Sequence, residues 1–164
     1  MTQVDAIYTI GVYGHTEQSF LDLLERNCVD IVVDVRQRRA VRGSRYAFAN
    51  ASRLDAALSR AGVAVVSWKD LAPSTRLRDK QKEADKSTSH TKTTRGELAP
   101  DFVAGYEREV LALQDPGELL DRLADYRRPA ILCVEGSAPA CHRSLAARWL
   151  AEGAGVKVVD LEVE

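Results

Sequence analysis

The apolar positions of the chain fall into short runs that alternate with longer segments of helical periodicity. The short runs are rich in Ile and Val and end at glycine or at charged residues, as strands buried on both faces of a parallel sheet do. They predict five strands, at Ala6–Gly11, Asp30–Val35, Val63–Trp68, Pro129–Val134 and Val156–Leu161.

The segments between these runs carry helix start and stop signals. Thr16 and Asn50 are favourable N-cap residues for two helices, and Pro100 and Pro116 are typical of a first helical position. A last helix is predicted over Arg143–Glu152, where the following glycine ends it.

Strands that alternate with helices predict a parallel sheet with right-handed crossovers. We expect a single α/β domain over residues 1–164, with a three-layer, Rossmann-like open sheet of about five strands in the order 3-2-1-4-5. In that order the direction of the connections reverses between strands one and four. Ligands of such sheets bind outside the carboxyl ends of the strands at this switch point, so we place the functional site there.

The segment 69–98 breaks the alternation. It is rich in Lys, Ser and Thr and lacks hydrophobic periodicity, so it is predicted as one long polar loop. Loops of this length in a compact domain are usually functional lids or disordered. We therefore expect the segment to be mobile without a ligand, because it has little apolar surface to offset the entropy of ordering.

Composition narrows the class of protein. The 164 residues fit one domain, and the formal net charge of -1 excludes capture of nucleic acid by the charge of the whole protein, though not by a local basic patch. No apolar run approaches the roughly 20 residues that span a bilayer, and no signal peptide is visible. Three cysteines without framework spacing indicate a reducing compartment. We expect a cytoplasmic protein that does not contact membranes, and a homo-oligomer remains open.

The ends of the first two predicted strands carry candidate site residues. Strand one runs into Gly11 and then into a loop that ends at His15. The glycine suits close approach of a ligand to the backbone, or a plain tight turn. Strand two ends in Asp34-Val-Arg36, with both charged residues on one face. They are placed for ligand contact, and the alternative is an internal ion pair that holds the loop.

A basic segment follows strand two. Residues 36–45 hold five arginines and no acid, and two aromatic residues, Tyr46 and Phe48, come soon after. Guanidinium groups suit phosphate contacts, and aromatic rings can stack on bases. The alternative is a solvated loop anchored by its aromatic residues. The candidate anion-binding arginines here are Arg36, Arg38, Arg39 and Arg45.

The strongest local signal follows strand four. Glu135 follows the strand directly, and Cys141-His142-Arg143 stands at a helix start. A helix N-terminus attracts anions and lowers the pKa of a cysteine placed there. Cys141 is therefore a candidate nucleophile or general acid, and Glu135 and Asp34 are candidate bases. The alternative for Cys141 is an inert buried thiol, which is the favoured interpretation for Cys133, and Cys28 is predicted as a core residue.

Neither a metal nor a cofactor is predicted. His15, Cys133, Cys141 and His142 are suitable zinc ligands by type, but their spacing matches no common zinc motif. Two glycines after strand one do not meet the dinucleotide-binding fingerprint. No arginine follows Cys133 or Cys141 at the spacing of the cysteine phosphatases.

Taken together, these motifs resemble the domain-of-unknown-function 488 family of small bacterial and archaeal α/β proteins. The matching pieces lie in the family's order over nearly the whole chain: Thr9-Ile-Gly11, Val33-Asp-Val-Arg36, Phe48-Ala-Asn50, Leu132-Cys-Val-Glu135 and Cys141-His-Arg-Ser144. The resemblance implies a Rossmann-like fold and a shared site at these positions, while the activity of the family is generally unassigned. The chain departs from the family at His15, which stands four residues after Gly11 rather than directly after it, at Ala72, and in the Lys-rich stretch that follows.

Three functions are compatible with these residues. The first is an enzyme, a hydrolase or transferase, that acts on a phosphorylated small molecule or nucleic acid held by Arg36 and Arg143, with His15 and His142 beside them. The second is a sulfurtransferase or redox enzyme that uses Cys141. The third is a nucleic-acid-binding module without catalysis that uses the two basic segments, 36–45 and 69–95. We rank the phosphorylated-ligand enzyme first.

Overall fold

The computed structural model of the protein describes residues 3–90 and 96–163. It contains a five-stranded, fully parallel sheet. The strands are β1 (Ile7–Ile10), β2 (Ile31–Asp34), β3 (Ala64–Ser67), β4 (Pro129–Leu132) and β5 (Val158–Leu161). The helices are α1 (Glu17–Arg26), α2 (Ala51–Arg60), α3 (Thr75–Ser87), α4 (Pro100–Glu109), α5 (Pro116–Arg122) and α6 (Arg143–Ala154). The predicted α/β fold class is confirmed.

The predicted strand order is wrong in one respect. The sheet has the order β3-β2-β4-β1-β5, so β4 lies between β1 and β2. The connection through α1 skips one strand position, and β4 pairs on both of its sides, with Ala130 opposite Tyr8 and Val32. Hydrophobic runs identify buried strands but not their neighbours, because any two apolar strands can pair.

The corrected order keeps the predicted switch point between β1 and β4. From β1 the chain moves towards β2 and β3, and from β3 it moves back towards β4 and β5. Right-handed crossovers then place α1 and α2 on one face and α3 to α6 on the other. The central strands β1, β2 and β4 are buried throughout, whereas the edge strands β3 and β5 are partly exposed. The carboxyl ends of β1, β4 and β2 therefore stand side by side.

Local sequence explains how the helices begin and end. Thr16 caps α1 by accepting a hydrogen bond from the N–H of Ser19, whose hydroxyl in turn accepts one from Thr16 N–H. At the other end of the fold, α6 continues past Gly153 to Ala154, two residues beyond its predicted end. Gly155, with φ of 70°, ends it instead. Gly153 is needed for packing, because a Cβ there would lie 2.9 Å from the ring of Pro116.

The prediction of one polar loop over 69–98 is wrong for residues 75–87, which form α3. Ser74 caps this helix by accepting from Leu77 N–H at 3.2 Å, and Leu77 is fully buried. Two polar residues are buried with it: Gln81 donates to the carboxylate of Asp85 at 2.8 Å and accepts from Ala99 N–H at 2.9 Å. Because α3 buries mainly polar groups that pair with each other, hydrophobic periodicity does not reveal it. Residues 91–95 of the expected lid lie outside the described residues.

None of the helices in the described parts of the chain is both long and apolar enough to cross a membrane.

We expect Leu77→Ala to lower the free energy of unfolding by about 2–5 kcal/mol, because a fully buried leucine is removed from the contact between α3 and α4. Leu113→Ala is the matched control, since Leu113 is 78% exposed and should change stability by no more than about 0.5 kcal/mol. Urea unfolding of the two variants measures the difference. Equal stabilities would show that α3 is not docked in solution.

Candidate functional site

The loops that follow β1 and β4 are bound to each other at the switch point. The N–H groups of Val12 and Tyr13 both donate to Val134 O, at 3.0 and 2.8 Å. Gly11 lies so close to the second loop that an added Cβ would stand 1.8 Å from Glu135 O and 2.9 Å from Arg143 Nη1. Only glycine fits there, and the close approach serves contact between the two loops.

Asp34 and Arg36 form the internal ion pair that the sequence left open as the alternative. Arg36 Nε donates to Asp34 Oδ1 at 2.9 Å and Nη2 donates to Oδ2 at 2.7 Å, while Nη1 donates to Ala49 O at 2.9 Å. Arg39 adds a bond to Asp34 Oδ2 at 2.7 Å and reaches Asp55 on α2. Both Asp34 and Arg36 are buried. The network joins the basic segment to the end of β2 and to α2.

Burial of Asp34 alone would raise its pKa. The hydrogen bonds and positive charges of Arg36 and Arg39 outweigh that effect, so the pKa of Asp34 lies below its ordinary value. Asp34 is thus an ionised partner of two arginines, which makes it a poor general base. The same contacts neutralise Arg36.

Arg143 is in a different situation at the start of α6. Its side chain has no solvent exposure, and it donates from Nη1 to Glu135 O and from Nη2 to Gly136 O at 3.3 Å. Its Nε is buried without a hydrogen-bond partner, and no carboxylate of residues 3–90 or 96–163 forms a salt bridge with it. In the part of the chain that the structure describes, the buried Arg143 guanidinium is therefore held by two carbonyl dipoles and by no carboxylate.

His15 lies near this guanidinium. It is buried, and its Nδ1 is 3.0 Å from the hydroxyl of Ser19, which fixes the ring at the start of α1. Burial lowers the pKa of His15, and the positive charge of Arg143 lowers it further. His15 is accordingly neutral at physiological pH, and within the described residues its Nε2 makes no hydrogen bond.

Cys133, Cys141 and His142 meet at the end of β4. His142 Nδ1 lies 3.7 Å from Cys133 Sγ and 3.9 Å from Cys141 Sγ, and His142 Nε2 is 3.3 Å from Val35 O. All three side chains are buried. The structure thus brings together three of the four candidate zinc ligands, while His15 stands apart beside Arg143.

The prediction that the pKa of Cys141 is lowered is wrong. Complete burial, together with the neighbouring Cys133, raises the pKa of Cys141 to about 11, although His142 acts in the opposite direction. Desolvation of a thiolate outweighs the partial charge of the helix start. For His142, burial opposes the charged form, but Cys141 and Glu135 more than offset it and raise the pKa. The Glu135 carboxylate therefore lies close enough to act on the His142 ring.

The remaining arginines of the basic segment are exposed. Arg38, Arg42 and Arg45 all face solvent, and the guanidinium of Arg45 lies 5.1 Å from the centre of the Tyr46 ring. The hydroxyl of Tyr46 accepts a hydrogen bond from Gly14 N–H at 3.0 Å, which ties this segment to the loop after β1.

Sequence reasoning missed two residues that shape the site. Tyr13 packs against Tyr46, with ring centres 5.1 Å apart, and Tyr106 of α4 packs against His142, with centres 5.5 Å apart. The hydroxyl of Tyr106 donates a hydrogen bond to Leu71 O at 2.6 Å, which joins α4 to a distant segment of the chain. Cys28, predicted in the core, is exposed at the end of α1.

We expect brief iodoacetamide labelling of the native protein in EDTA at pH 8 to modify Cys28 first. Cys141 should react at least about 100-fold more slowly, because a pKa raised from 9.0 to about 11 reduces its thiolate fraction about 100-fold and burial adds to the effect. Mass spectrometry of the labelled peptides measures the order. Preferential labelling of Cys141 would restore the reactive thiol that the sequence suggested.

Comparison with known proteins gives one match. No curated protein and no solved structure matches the chain. The profile of the family described as "Domain of unknown function DUF488" matches residues 16–150, a span that contains α1, the Asp34 network and the start of α6. The chain therefore belongs to the DUF488 family.

Proposed function

We propose that the protein binds an oxyanion-bearing ligand, of the phosphate ester class, at the carboxyl ends of β1 and β4. The observation that carries the proposal is Arg143, a guanidinium that is 0% exposed and has no carboxylate partner in the described residues. A buried charge without a counter-charge is strongly unfavourable. A bound anion supplies the missing counter-charge.

Arg36 provides the internal comparison. It is also buried, but Asp34 holds it with two hydrogen bonds, so it needs no further anion. Arg143 differs in that its acceptors among the described residues are two backbone carbonyls, and its Nε–H has no acceptor there. We therefore assign anion binding to Arg143 and a structural role to Arg36.

The groups around Arg143 fit an anionic ligand. It stands in the first turn of α6, where the N–H groups and the helix dipole favour negative charge. His15 is close enough for its pKa to respond to Arg143, and its Nε2 has no described partner. We propose His15 as a second, neutral ligand contact, through Nε2.

The exposed basic segment supports a nucleotide or nucleic acid as the ligand. Arg38, Arg42 and Arg45 are exposed, and none of them forms a salt bridge with a carboxylate in the described ranges 3–90 and 96–163. Tyr13 and Tyr46 lie between this segment and the loop after β1. Half-buried aromatic rings beside arginines suit base stacking next to phosphate contacts.

If the protein is an enzyme on such a ligand, a hydrolase or transferase, Glu135 is the carboxylate that we assign as general base. Asp34 is paired with two arginines, which lowers its pKa. The Glu135 carboxylate lies close enough to His142 to raise the pKa of that ring, and the backbone carbonyl of Glu135 accepts a hydrogen bond from Arg143. The competing thiol mechanism loses support, because Cys141 is fully buried and its pKa is raised to about 11.

Phosphate should stabilise the wild-type protein and not the Arg143→Ala variant. At ten times its dissociation constant, a ligand of the folded state adds about 1.4 kcal/mol, which raises the melting temperature of a domain this size by roughly 3–5 °C. The measurement is thermal unfolding over a phosphate series in EDTA, with chloride holding ionic strength constant. Arg143→Lys, which keeps the charge but loses the planar fork, should retain part of the response.

Arg60→Ala is the control, because Arg60 is exposed in the last turn of α2, away from the switch point. It should respond to phosphate as the wild type does. An equal response in wild type and Arg143→Ala would assign Arg143 to the fold alone.

For single-stranded RNA or DNA, we expect the combined replacement of Arg38, Arg42 and Arg45 by Gln to weaken binding and to flatten its salt dependence. Each phosphate contact contributes about 0.7 to the slope of log K against log salt for single strands, so the slope should fall by about 2. Fluorescence anisotropy with a labelled oligonucleotide over a salt series measures the slope.

The matched control replaces by Gln three exposed arginines in the last turns of helices that lead into strands, and so at the amino ends of the strands. They are Arg26, Arg60 and Arg122. This triple variant has the same net charge as the first but should keep the wild-type slope. Equal slopes in both triple variants would place nucleic acid elsewhere or exclude it, while leaving the phosphate result for small ligands intact.

A further inference from the structure

Three atoms that can bind a metal lie close together near the end of β4. They belong to Cys133, Cys141 and His142, the residue before Arg143. His142 Nδ1 stands 3.7 Å from Cys133 Sγ and 3.9 Å from Cys141 Sγ, and the three atoms all lie within 4.8 Å of one another. In a tetrahedral zinc site, bonds of about 2.3 Å to sulfur and about 2.0–2.1 Å to nitrogen separate neighbouring S and N atoms by about 3.6 Å. The two nitrogen–sulfur distances are thus close to those that one shared ion requires.

We propose that Cys133 Sγ, Cys141 Sγ and His142 Nδ1 bind one Zn²⁺ ion, with the fourth coordination position taken by a ligand from outside the chain. Two thiolates and an imidazole are soft and borderline donors, the set that zinc prefers over magnesium or calcium. Each thiol loses its proton to solvent as its sulfur–zinc bond forms, so loading releases two protons and involves no redox change.

The hydrogen bond on the opposite ring nitrogen of His142, Nε2, supports this assignment. This nitrogen is 3.3 Å from Val35 O, so Nε2 carries the proton donated to that carbonyl and Nδ1 is left as the lone-pair nitrogen. Zinc-binding histidines almost always have such a hydrogen bond on the nitrogen opposite the metal, because it fixes the tautomer and the ring orientation. The Tyr106 ring, 5.5 Å from the His142 ring, holds it from another side.

Charge balance also favours a divalent ion in this buried place. Zn²⁺ with two thiolates and a neutral imidazole has no net charge, so the complex can be buried without a further counter-ion. The described residues offer no fourth Cys, His, Asp or Glu in the group. Tyr106 is already committed, since its hydroxyl donates to Leu71 O at 2.6 Å. Zinc sites with three protein ligands and one open position are the ones that activate water or substrates.

The test uses the whole protein, reduced and stripped of metal with a chelator, then titrated with Co²⁺ without oxygen. The wild type and the Cys28→Ser control should each bind one Co²⁺ per chain, with the intense absorption of tetrahedral cobalt and thiolate-to-cobalt charge transfer. Cys133→Ser, Cys141→Ser and His142→Gln should each bind it more than about 100-fold more weakly, beyond the loss expected when only a supporting partner is removed. Zn²⁺ should displace the Co²⁺ and abolish the absorption.

X-ray absorption of the zinc-loaded wild type keeps the test independent of whether the variants fold. We expect two sulfur neighbours at about 2.3 Å and nitrogen or oxygen neighbours at about 2.0 Å. A shell of oxygen and nitrogen alone, cobalt affinity unchanged in the ligand variants, or a wild type that binds no ion would each overturn the proposal. The phosphate response is measured in EDTA, so the anion and metal results can fail separately.

Discussion

The buried guanidinium of Arg143 is the constraint around which this end of the molecule is built. It lies under the loop after β4, where it donates to Glu135 O and Gly136 O, and Gly11 leaves it the room to do so. Burying a cation is unfavourable unless acceptors surround it. Two carbonyls accept some of its N–H groups but supply no negative charge. We therefore assign the counter-charge, and the acceptor for Nε–H, to an anionic ligand.

The position of β4 in the sheet makes this arrangement possible. Because β4 lies between β1 and β2, the carbonyls at its end bind both neighbours: Val134 O accepts from Val12 N–H and Tyr13 N–H, and Leu132 O accepts from Val35 N–H. On the β2 side, Asp34 neutralises the charge of Arg36 and Arg39. On the β1 side, the charge of Arg143 has no such carboxylate among the described residues. Anion binding and metal binding are then assigned to adjacent residues, Arg143 and His142, that point to different partners.

Much of this could be predicted from the sequence, and the failures have physical reasons. Apolar runs identified the strands, and the last helix was predicted to begin at Arg143, where α6 begins in the structure. Strand neighbours could not be predicted, because a connection between two strands can pass over an intervening strand position, and the apolar pattern does not show when it does. The pairing of Asp34 with Arg36, and the meeting of Cys133 with His142, likewise depend on side-chain direction. Burial decided the pKa of Cys141, which its position near a helix start did not indicate.

The most direct test of the central claim is the NMR resonance of the Arg143 Nε–H during a phosphate titration of the protein in EDTA. This donor has no partner among the described residues, so phosphate binding should shift its resonance and slow its exchange with water. The Nε–H of Arg36, which already donates to Asp34 at 2.9 Å, should not move and provides the internal reference. A resonance of Arg143 that stays fixed while phosphate saturates the protein would contradict the account.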